Sequence, residues 1–296
     1  MRDRRNFVQC LRAFVQDIGP CGRGQVCELS VPEHELRIGA FPISIDFQDF
    51  EDRAKSPEVA ESAWHIHERF PNQQIILGVD RMDYTKGIPM RLEAFRHAIK
   101  RYPELREKVT LVQVVVPSRR GIPEYEALKT RIETLVGEIN GELTQHGWNP
   151  IHYIYRSLTP VELVGFYRTA EIALITPLKD GMNLVAKEFC ASSLEEDSVL
   201  IMSEFAGAVA EFQEGALLVN PYDVIDVADA IKRAVDMDKA ERKSRMKKLR
   251  KIVRDHDIFW WVNSFLLAAI AESLESFPVI EDYTPEFDPV AEGDSP

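Results

Sequence analysis

The chain has 296 residues, of which 45% are hydrophobic and 28% are charged, and its formal net charge is -12 at pH 7. This composition indicates a globular protein with a substantial core, and the acidic balance argues against binding to nucleic acid or to an anionic membrane. No apolar run reaches the roughly 18 residues of a membrane span, and no secretory signal is evident, so we expect a cytoplasmic protein. The four cysteines form no CxxC pair and are expected to be reduced thiols.

The first part of the chain, residues 1–50, predicts only isolated elements. A short helix, NFVQCLRAFVQDI, is followed by a lone strand-like stretch, ELRIGAFPISI. Together they do not make a βα unit with its own core. We therefore interpret 1–50 as the remnant of another domain.

The middle of the chain, residues 51–255, alternates short apolar runs with amphipathic segments from residue 74 onward. Helix starts are predicted at Thr159, which precedes a proline, and near Asn183 and Asp223. The predicted strands are QQIILGVD, VTLVQVVVP, IHYIYRSL, IALITPL, VLIMSE and ALLVNP. Apolar strands separated by helices predict an α/β, doubly wound, Rossmann-like parallel sheet that is covered on both faces.

The end of the chain, residues 256–296, begins with the apolar stretch IFWWVNSFLLAAIAESL. It predicts a long helix with more apolar surface than one face needs, so part of it should pack on another segment. The acidic sequence EDYTPEFDPVAEGDSP follows and is expected to be disordered.

Two loops at the predicted carboxyl ends of strands are candidates for ligand binding, because ligands of such sheets bind there. The first, VDRMDYTKGIP, carries Arg81 and Lys86, with Gly87 allowing a tight turn into the next helix. Two cations at this position suggest an anion site. Solvated surface charges are the alternative.

The second loop lies in TPLKDGMNLVAKEF, where a strand is predicted to end at Leu178 and a helix to begin near Asn183. Backbone N–H groups at that helix start would donate to a phosphate or to sugar hydroxyls. Asp180 suits a carboxylate that accepts hydrogen bonds from sugar hydroxyls, and Glu188 could reach a ribose. The alternative is a turn residue and a solvated helix charge.

Five strings occur in order along the chain: VDRMDYTKGIP, VVVPSRRG, PLKDGMNLVAKEF, SEFAGA and LLVNPYD. Together they resemble the trehalose-6-phosphate synthase family of retaining GT-B glycosyltransferases. The resemblance implies two Rossmann-like domains facing across a cleft, of which the C-terminal one holds UDP-glucose. It also implies transfer of glucose to glucose 6-phosphate with retention, giving α,α-trehalose 6-phosphate.

The resemblance also implies roles for individual residues. Arg81 and Lys86 match the pair that holds the donor diphosphate and neutralises the departing nucleotide, and Asp180 matches the carboxylate on the glucose hydroxyls. Glu188 matches the ribose ligand. The backbone stretch in contact with sugar and diphosphate corresponds to Gly181, Met182, Asn183, Leu184 and Val185.

Three further positions are matched by the same resemblance. Arg119 corresponds to an arginine near the acceptor phosphate or the donor, and Leu158 and Leu163 correspond to contacts with the base. Arg120 stands where the family pattern has glycine, which puts the register of this loop in question.

No metal or other cofactor is expected, because two cations aimed at the diphosphate would do what a divalent metal does in other glycosyltransferases. Asp236-Met237-Asp238 and Asp255-His256-Asp257 fit a DxD metal pattern, but neither follows a predicted strand. Both are interpreted as structural.

The family resemblance further implies an acceptor domain ahead of residue 1, so we expect an excerpt, a shortened product, or an acceptor half on a separate chain. The expected ligands are a nucleotide sugar and a sugar phosphate, and a homo-oligomer stays open. Alternatives are a glucosylglycerol-phosphate synthase-like or pseudo-sugar-coupling transferase, or a noncatalytic nucleotide-sugar-binding subunit. The donor base is also open.

Overall fold

The computed structural model describes residues 2–11, 17–18, 26–31, 34–119 and 121–270. Within these ranges the strands are β1 Asp17–Ile18, β2 Val26–Val31, β3 His34–Gly39, β4 Gln74–Arg81, β5 Val109–Val116, β6 Ile151–Tyr155, β7 Ile172–Ile175, β8 Val199–Ser203 and β9 Leu217–Val219. The helices are α1 Arg2–Leu11, α2 Phe47–Lys55, α3 Pro57–Arg69, α4 Ile88–Arg101, α5 Pro123–Leu143, α6 Pro160–Thr169, α7 Leu184–Ser192, α8 Val209–Phe212, α9 Val224–Asp236, α10 Lys239–Asp255 and α11 Ile258–Ile270.

Strands β4 to β9 form one parallel sheet in the order β6-β5-β4-β7-β8-β9. The chain moves outward from β4 in one direction, then returns to the other side of β4 and moves outward again. This is the strand order of a doubly wound dinucleotide-binding sheet. The predicted α/β, Rossmann-like parallel sheet is therefore confirmed.

The core lies on both faces of this sheet. Alternate residues of β4 divide between two apolar clusters, with Ile76 in one and Ile75, Leu77 and Val79 in the other. The first cluster is covered by α4, α5 and α9, and the second by α2, α6, α7 and α10. Strands buried on both faces explain the near-continuous apolar runs of the sequence.

Local sequence determines where several helices begin. Thr159 caps α6 with a full capping box, and Pro160 is its first residue. Asp223 caps α9 by accepting from two backbone N–H groups. The helix predicted from Asp223 divides at Met237, because Asp238 has extended backbone and caps a new helix, α10.

Strands β1, β2 and β3 form a small antiparallel sheet, so the prediction of a lone strand within residues 1–50 is wrong. β2 pairs with β3 along its whole length, from Val26 opposite Gly39 to Val31 opposite His34, and β1 pairs with β2.

Helix α11 packs back on the segment that follows β3. The Trp261 indole donates to the Phe41 carbonyl at 3.0 Å, and the rings of Phe41 and Phe265 meet edge to face. The predicted acidic tail lies outside the described residues, and the domain boundaries at 50 and 255 stay predictions. Across the described ranges, every helix is too short or too polar to cross a bilayer.

Candidate active site

The two loops chosen from the sequence meet at one point of the sheet. β4 and β7 are neighbours, and their following connections run to opposite sides of the sheet. A crevice forms at the carboxyl ends of such a pair of strands, and ligands of doubly wound folds bind in it. The loop after β4 and the loop after β7 are therefore in the right place for a shared ligand.

The loop after β4 is held in a tight turn. Asp83 accepts hydrogen bonds from the backbone and hydroxyl of Thr85 and begins a short 3-10 helix, Tyr84–Lys86. Gly87 then has a φ of 66°, which confirms the predicted turn. A Cβ at Gly87 would lie 2.8 Å from the Thr176 carbonyl oxygen, so glycine also lets the two loops approach.

The two predicted cations differ in their surroundings. Arg81 ends β4 with an exposed side chain, and no ion pair joins it to the rest of the described chain. Lys86 Nζ lies 2.7 Å from Asp180 Oδ2, and these side chains are only 16% and 12% exposed. The structure therefore brings Lys86 and Asp180 together across 94 positions of sequence.

Asp180 organises the loop after β7. Its carboxylate accepts from Lys86, from the Asn183 amide at 3.1 Å and from the Met182 N–H at 3.2 Å. Asn183 has a φ of 73° and caps α7, so the helix begins where the sequence predicted. The N–H groups of Leu184 and Val185 in the first turn have no partner among the described residues and are available as donors.

The strand before this loop is shorter than predicted. β7 ends at Ile175 rather than Leu178. The backbone N–H groups of Leu178 and Lys179 both donate to the Thr85 carbonyl, at 2.8 and 3.2 Å, instead of to a neighbouring strand. Leu178 and Lys179 thus connect the loop after β7 to the loop after β4.

A third loop, residues 204–208 of SEFAGA, supports the first two. Ala206 pairs with Asp180 in a parallel bridge, and the Gly207 N–H donates to the Asp180 carbonyl at 2.8 Å. A Cβ at Gly207 would lie 2.1 Å from the Gly181 oxygen. Only glycine fits this approach, so this position fixes the path of the Gly181–Met182 backbone.

Glu188 lies in the second turn of α7, below the free N–H groups. It is half-buried, and its Oε2 accepts from the Tyr167 hydroxyl at 2.8 Å. Burial raises the pKa of the Glu188 carboxyl, and the hydrogen bond from Tyr167 opposes that rise. Tyr167 holds one carboxylate oxygen, which leaves the other for a ligand.

The three remaining predicted residues lie on nearby elements. Arg119 donates to the Tyr125 hydroxyl at 3.0 Å, and its charge, with that of Lys86, helps lower the pKa of Asp83 against the effect of burial. Leu158 and Leu163 are half-buried and pack against the same apolar cluster as Leu184 and Val185. Arg120, which bears on the register of the loop, lies outside the described residues.

Sequence analysis missed a buried polar cluster beneath the loop after β4. Arg91 of α4 is ion-paired with Asp80 and donates to the side chains of Gln113 and Thr176. An arginine within IPMRLEAF and a glutamine within VTLVQVVV were the available signals, because charged and amide side chains are rarely buried without partners.

The carboxylates of the two DxD patterns have structural contacts. Asp238 caps α10, and Asp257 accepts from the Trp260 N–H at 2.9 Å. Among the described residues, no group of three or more His, Cys, Asp and Glu side chains has a metal-holding arrangement. Metal independence stays a prediction.

Comparisons with known proteins agree with this architecture. The sequence profile of glycosyltransferase family 20 matches residues 1–270. The bifunctional trehalose-6-phosphate synthase/phosphatase of Thermoproteus tenax is 42% identical over 243 residues, covering 82% of this chain and 33% of that protein. The trehalose-6-phosphate synthase of Mycolicibacterium smegmatis is 41% identical over 276 residues, covering 92% of this chain and 54% of that protein.

Solved structures are similar at the level of the fold and of the sequence. A UDP-forming α,α-trehalose-phosphate synthase from Burkholderia xenovorans, in complex with glucose-6-phosphate, superposes with a TM-score of 0.84 at 32% identity, over 90% of this chain and 58% of that one. An E. coli structure bound with UDP-2-fluoro glucose gives 0.83 at 32% identity, with the same coverage. The chain spans about a third to three-fifths of the length of these relatives.

Proposed function

Because the chain belongs to glycosyltransferase family 20, we propose that it is the nucleotide-sugar-binding half of a retaining glycosyltransferase. The reaction would move glucose from UDP-glucose to glucose 6-phosphate and release α,α-trehalose 6-phosphate and UDP. One observation carries the proposal: Lys86 and Asp180 form an ion pair at the carboxyl ends of the neighbouring strands β4 and β7, where Arg81 ends β4 and α7 begins after Asn183. The names of the relatives supply the substrates.

The cations suit the charge that develops in such a reaction. As the bond between sugar C1 and the diphosphate oxygen breaks, negative charge grows on the diphosphate and positive charge on the sugar ring. Preorganised donors and cations aimed at that oxygen lower the barrier. Exposed Arg81 and the held Lys86 would face the diphosphate, and the free N–H groups of Leu184 and Val185 would add the positive end of a helix dipole.

The remaining residues would hold the neutral parts of the donor. Asp180 would accept from glucose hydroxyls, and Glu188, with one oxygen fixed by Tyr167, would accept from the ribose. The half-buried Leu158 and Leu163 would contact the base. Arg119 would lie near the acceptor phosphate or the donor.

The proposal leaves the acceptor to a part outside this chain. Glucose 6-phosphate would bind on another domain, carried by a longer chain or by a separate chain. We further propose that the reaction needs no metal. A cytoplasmic location stays a prediction of the sequence.

The experiment measures UDP release from UDP-glucose by the 296-residue chain in EDTA, with and without glucose 6-phosphate, beside calorimetric binding of UDP. Acceptor-dependent release would support a metal-independent transferase. UDP binding without release would support a donor-binding half or a noncatalytic subunit. A folded chain that binds no UDP would contradict the proposal.

Within an active preparation, Arg81→Ala separates charge stabilisation from binding of the sugar. We expect the rate to fall on the order of 100-fold to 1000-fold, by analogy with the loss of an oxyanion-hole donor. Asp180→Ala should instead weaken donor binding. An unchanged rate in Arg81→Ala would remove this residue from the mechanism.

A further inference from the structure

The buried cluster around Arg91 lies directly beneath the proposed diphosphate site. Arg91 is in the first half of α4, and its side chain is fully buried while that of its partner Asp80 is 4% exposed. The guanidinium donates to the Thr176 hydroxyl at 3.0 Å and to Gln113 Oε1 at 3.1 Å. It is thus a permanent charge in the core whose hydrogen-bonding capacity is largely used.

The strand opposite Arg91 is shaped to receive it. A Cβ at Gly78 of β4 would lie 2.8 Å from Arg91 Nη1 and 2.5 Å from Gln113 Oε1. The Gln113 amide in turn donates to the Gly78 carbonyl. The cluster therefore joins three elements, with Gly78 and Asp80 on β4, Gln113 on β5 and Arg91 on α4. Its close contacts and hydrogen bonds leave little space for other side-chain positions.

A contribution to stability alone does not explain this cluster. Buried ion pairs cost much desolvation, and apolar residues of similar size often give equal stability. The contacts of the Arg91 guanidinium indicate a second role. Its guanidinium donates to the Lys86 carbonyl at 3.4 Å, next to Gly87, and to Thr176, which begins the loop after β7.

One side chain therefore joins both loops of the site. Lys86 ends the short 3-10 helix of the first loop, and Thr176 lies four residues before Asp180 of the second. The Lys86–Asp180 contact of 2.7 Å spans the same two loops above the guanidinium. A shift of either loop would move the lysine charge relative to the diphosphate.

We propose that Arg91 is a positioning residue that fixes the Lys86 ammonium for the donor diphosphate by tying together the two loops. The proposal rests on the proposed function for the identity of the ligand. Arg91 itself does not touch the donor, because its guanidinium is buried below both loops. Replacing Arg91 should therefore weaken binding of the diphosphate and leave binding of the nucleoside unchanged.

The chain offers a matched control in Arg242. This arginine is also buried, but it donates to the carbonyls of Met237, Ala234 and Val235 near the other edge of the sheet. Replacing it removes a comparable set of hydrogen bonds far from the two loops. Any general effect of losing a buried arginine appears in both variants.

The first test compares the affinities of UMP and UDP, by calorimetry, for the wild-type chain, Arg91→Lys and Arg242→Lys. Lysine keeps a charge beside Asp80 but loses the planar fork. We expect Arg91→Lys to lower UDP affinity about 10-fold and leave UMP affinity unchanged, as for loss of an outer-shell support. Arg242→Lys should keep the wild-type ratio of the two affinities.

An equal loss of UMP and UDP affinity in Arg91→Lys, or an unchanged ratio, would overturn the positioning role. If Arg91→Lys does not fold, Thr176→Val replaces it. This variant removes only the hydroxyl that accepts from Arg91 Nε and keeps the Asp80 pair. It should show the same selective loss of UDP affinity, and its failure to do so would count equally against the proposal.

The second test needs no nucleotide and so separates this proposal from the proposed function. Lys86→Met and Asp180→Asn are combined in a double-mutant cycle, and the coupling between them is taken from the non-additivity of their effects on the urea midpoint of unfolding. The cycle is run once in the wild-type chain and once in the Thr176→Val variant. We expect the Lys86–Asp180 coupling to be lost with Thr176→Val. If the chain binds no UDP but Thr176→Val still abolishes the coupling, the proposed function is contradicted and the positioning role of Arg91 is kept. If the coupling is retained in Thr176→Val, the positioning role is overturned.

Discussion

The two edges of the parallel sheet present different kinds of surface. At the amino ends of β4, β7 and β8 lies a cavity of about 740 Å³, lined by residues of α3, α6 and α10 and by the segments before the strands. Its cations already have partners, since Arg242 donates to three carbonyls and Lys239 pairs with Asp197. At the carboxyl ends, Arg81 and the N–H groups of Leu184 and Val185 have no partner among the described residues.

Cavity volume is therefore a poor guide to the position of an anion-binding site in this fold. Donors and charges that have no partner in the protein favour binding of an anionic ligand, and Arg81 and the two N–H groups at the carboxyl edge meet this condition, while Lys86 is held there by Asp180. The amino edge uses its polar groups to terminate helices and hold strand ends. We therefore expect substitutions at the two edges to have separable effects on binding and on stability.

The largest difference is expected between two lysines, one at each edge. Lys86→Met removes a held charge from the proposed diphosphate site and should weaken UDP binding by at least about 30-fold, the equivalent of about 2 kcal/mol. Lys239→Met, at the amino edge, should leave UDP affinity unchanged. Calorimetric titration of both variants checks this, and equal losses would contradict the assignment of the edges.

A second comparison concerns glycine. Gly207→Ala places a Cβ against the Gly181 carbonyl and should destabilise the fold by about 1–3 kcal/mol, as overpacking does. Gly141 in α5 has open space around its Cβ position, so Gly141→Ala should stabilise the fold by about 0.5–1 kcal/mol. Urea unfolding measures both. A harmless Gly207→Ala would mean that the third loop is free to move.

A smaller effect is expected from Tyr167, which donates to the carboxylate of Glu188, the proposed ribose ligand. Tyr167→Phe removes one hydrogen bond to Glu188, worth about 1 kcal/mol, and should weaken UMP binding about fivefold. The exposed Tyr222 makes a ring contact with Phe205 instead, and Tyr222→Phe should change nothing measurable. If the two variants bind UMP equally, Glu188 does not depend on Tyr167 for its orientation.

The smallest effect is a dependence of stability on pH, and it distinguishes two half-buried glutamates, Glu188 and Glu171. Burial raises the pKa of Glu188 at the carboxyl edge and of Glu171 at the amino edge above the ordinary 4.5. Between that value and the raised pKa the folded state binds more protons than the unfolded state. The free energy of unfolding therefore falls as pH rises through this window.

Replacing either residue with glutamine should remove its part of this pH dependence. UDP would contact Glu188 but not Glu171. Adding UDP should therefore alter the difference in unfolding free energy between wild type and Glu188→Gln, and leave the difference between wild type and Glu171→Gln unchanged. Urea unfolding between pH 4 and pH 7 gives both differences. A UDP effect on the Glu171 difference would contradict the placement of the ligand.

The class of sheet and the two loops of the candidate site could be predicted from the pattern of residues alone. Apolar strands alternating with helices have one economical arrangement, a parallel sheet covered on both faces, and such a sheet binds ligands at its carboxyl ends. The cap at Thr159, the turn at Gly87 and the helix start at Asn183 each have a signal in the residues beside them, so they could be predicted locally.

Which of these loops meet depends on the order of the strands in the sheet, and this order could not be predicted from the sequence. The strand order places β7 beside β4, and this pairing carries Lys86 to Asp180 and Arg91 to Thr176. The early end of β7 also depends on a partner distant in sequence, the Thr85 carbonyl that accepts from Leu178 and Lys179. Periodicity reports which face of a segment is buried, but the partner of a buried charge is chosen by packing between segments, which one-dimensional spacing does not encode.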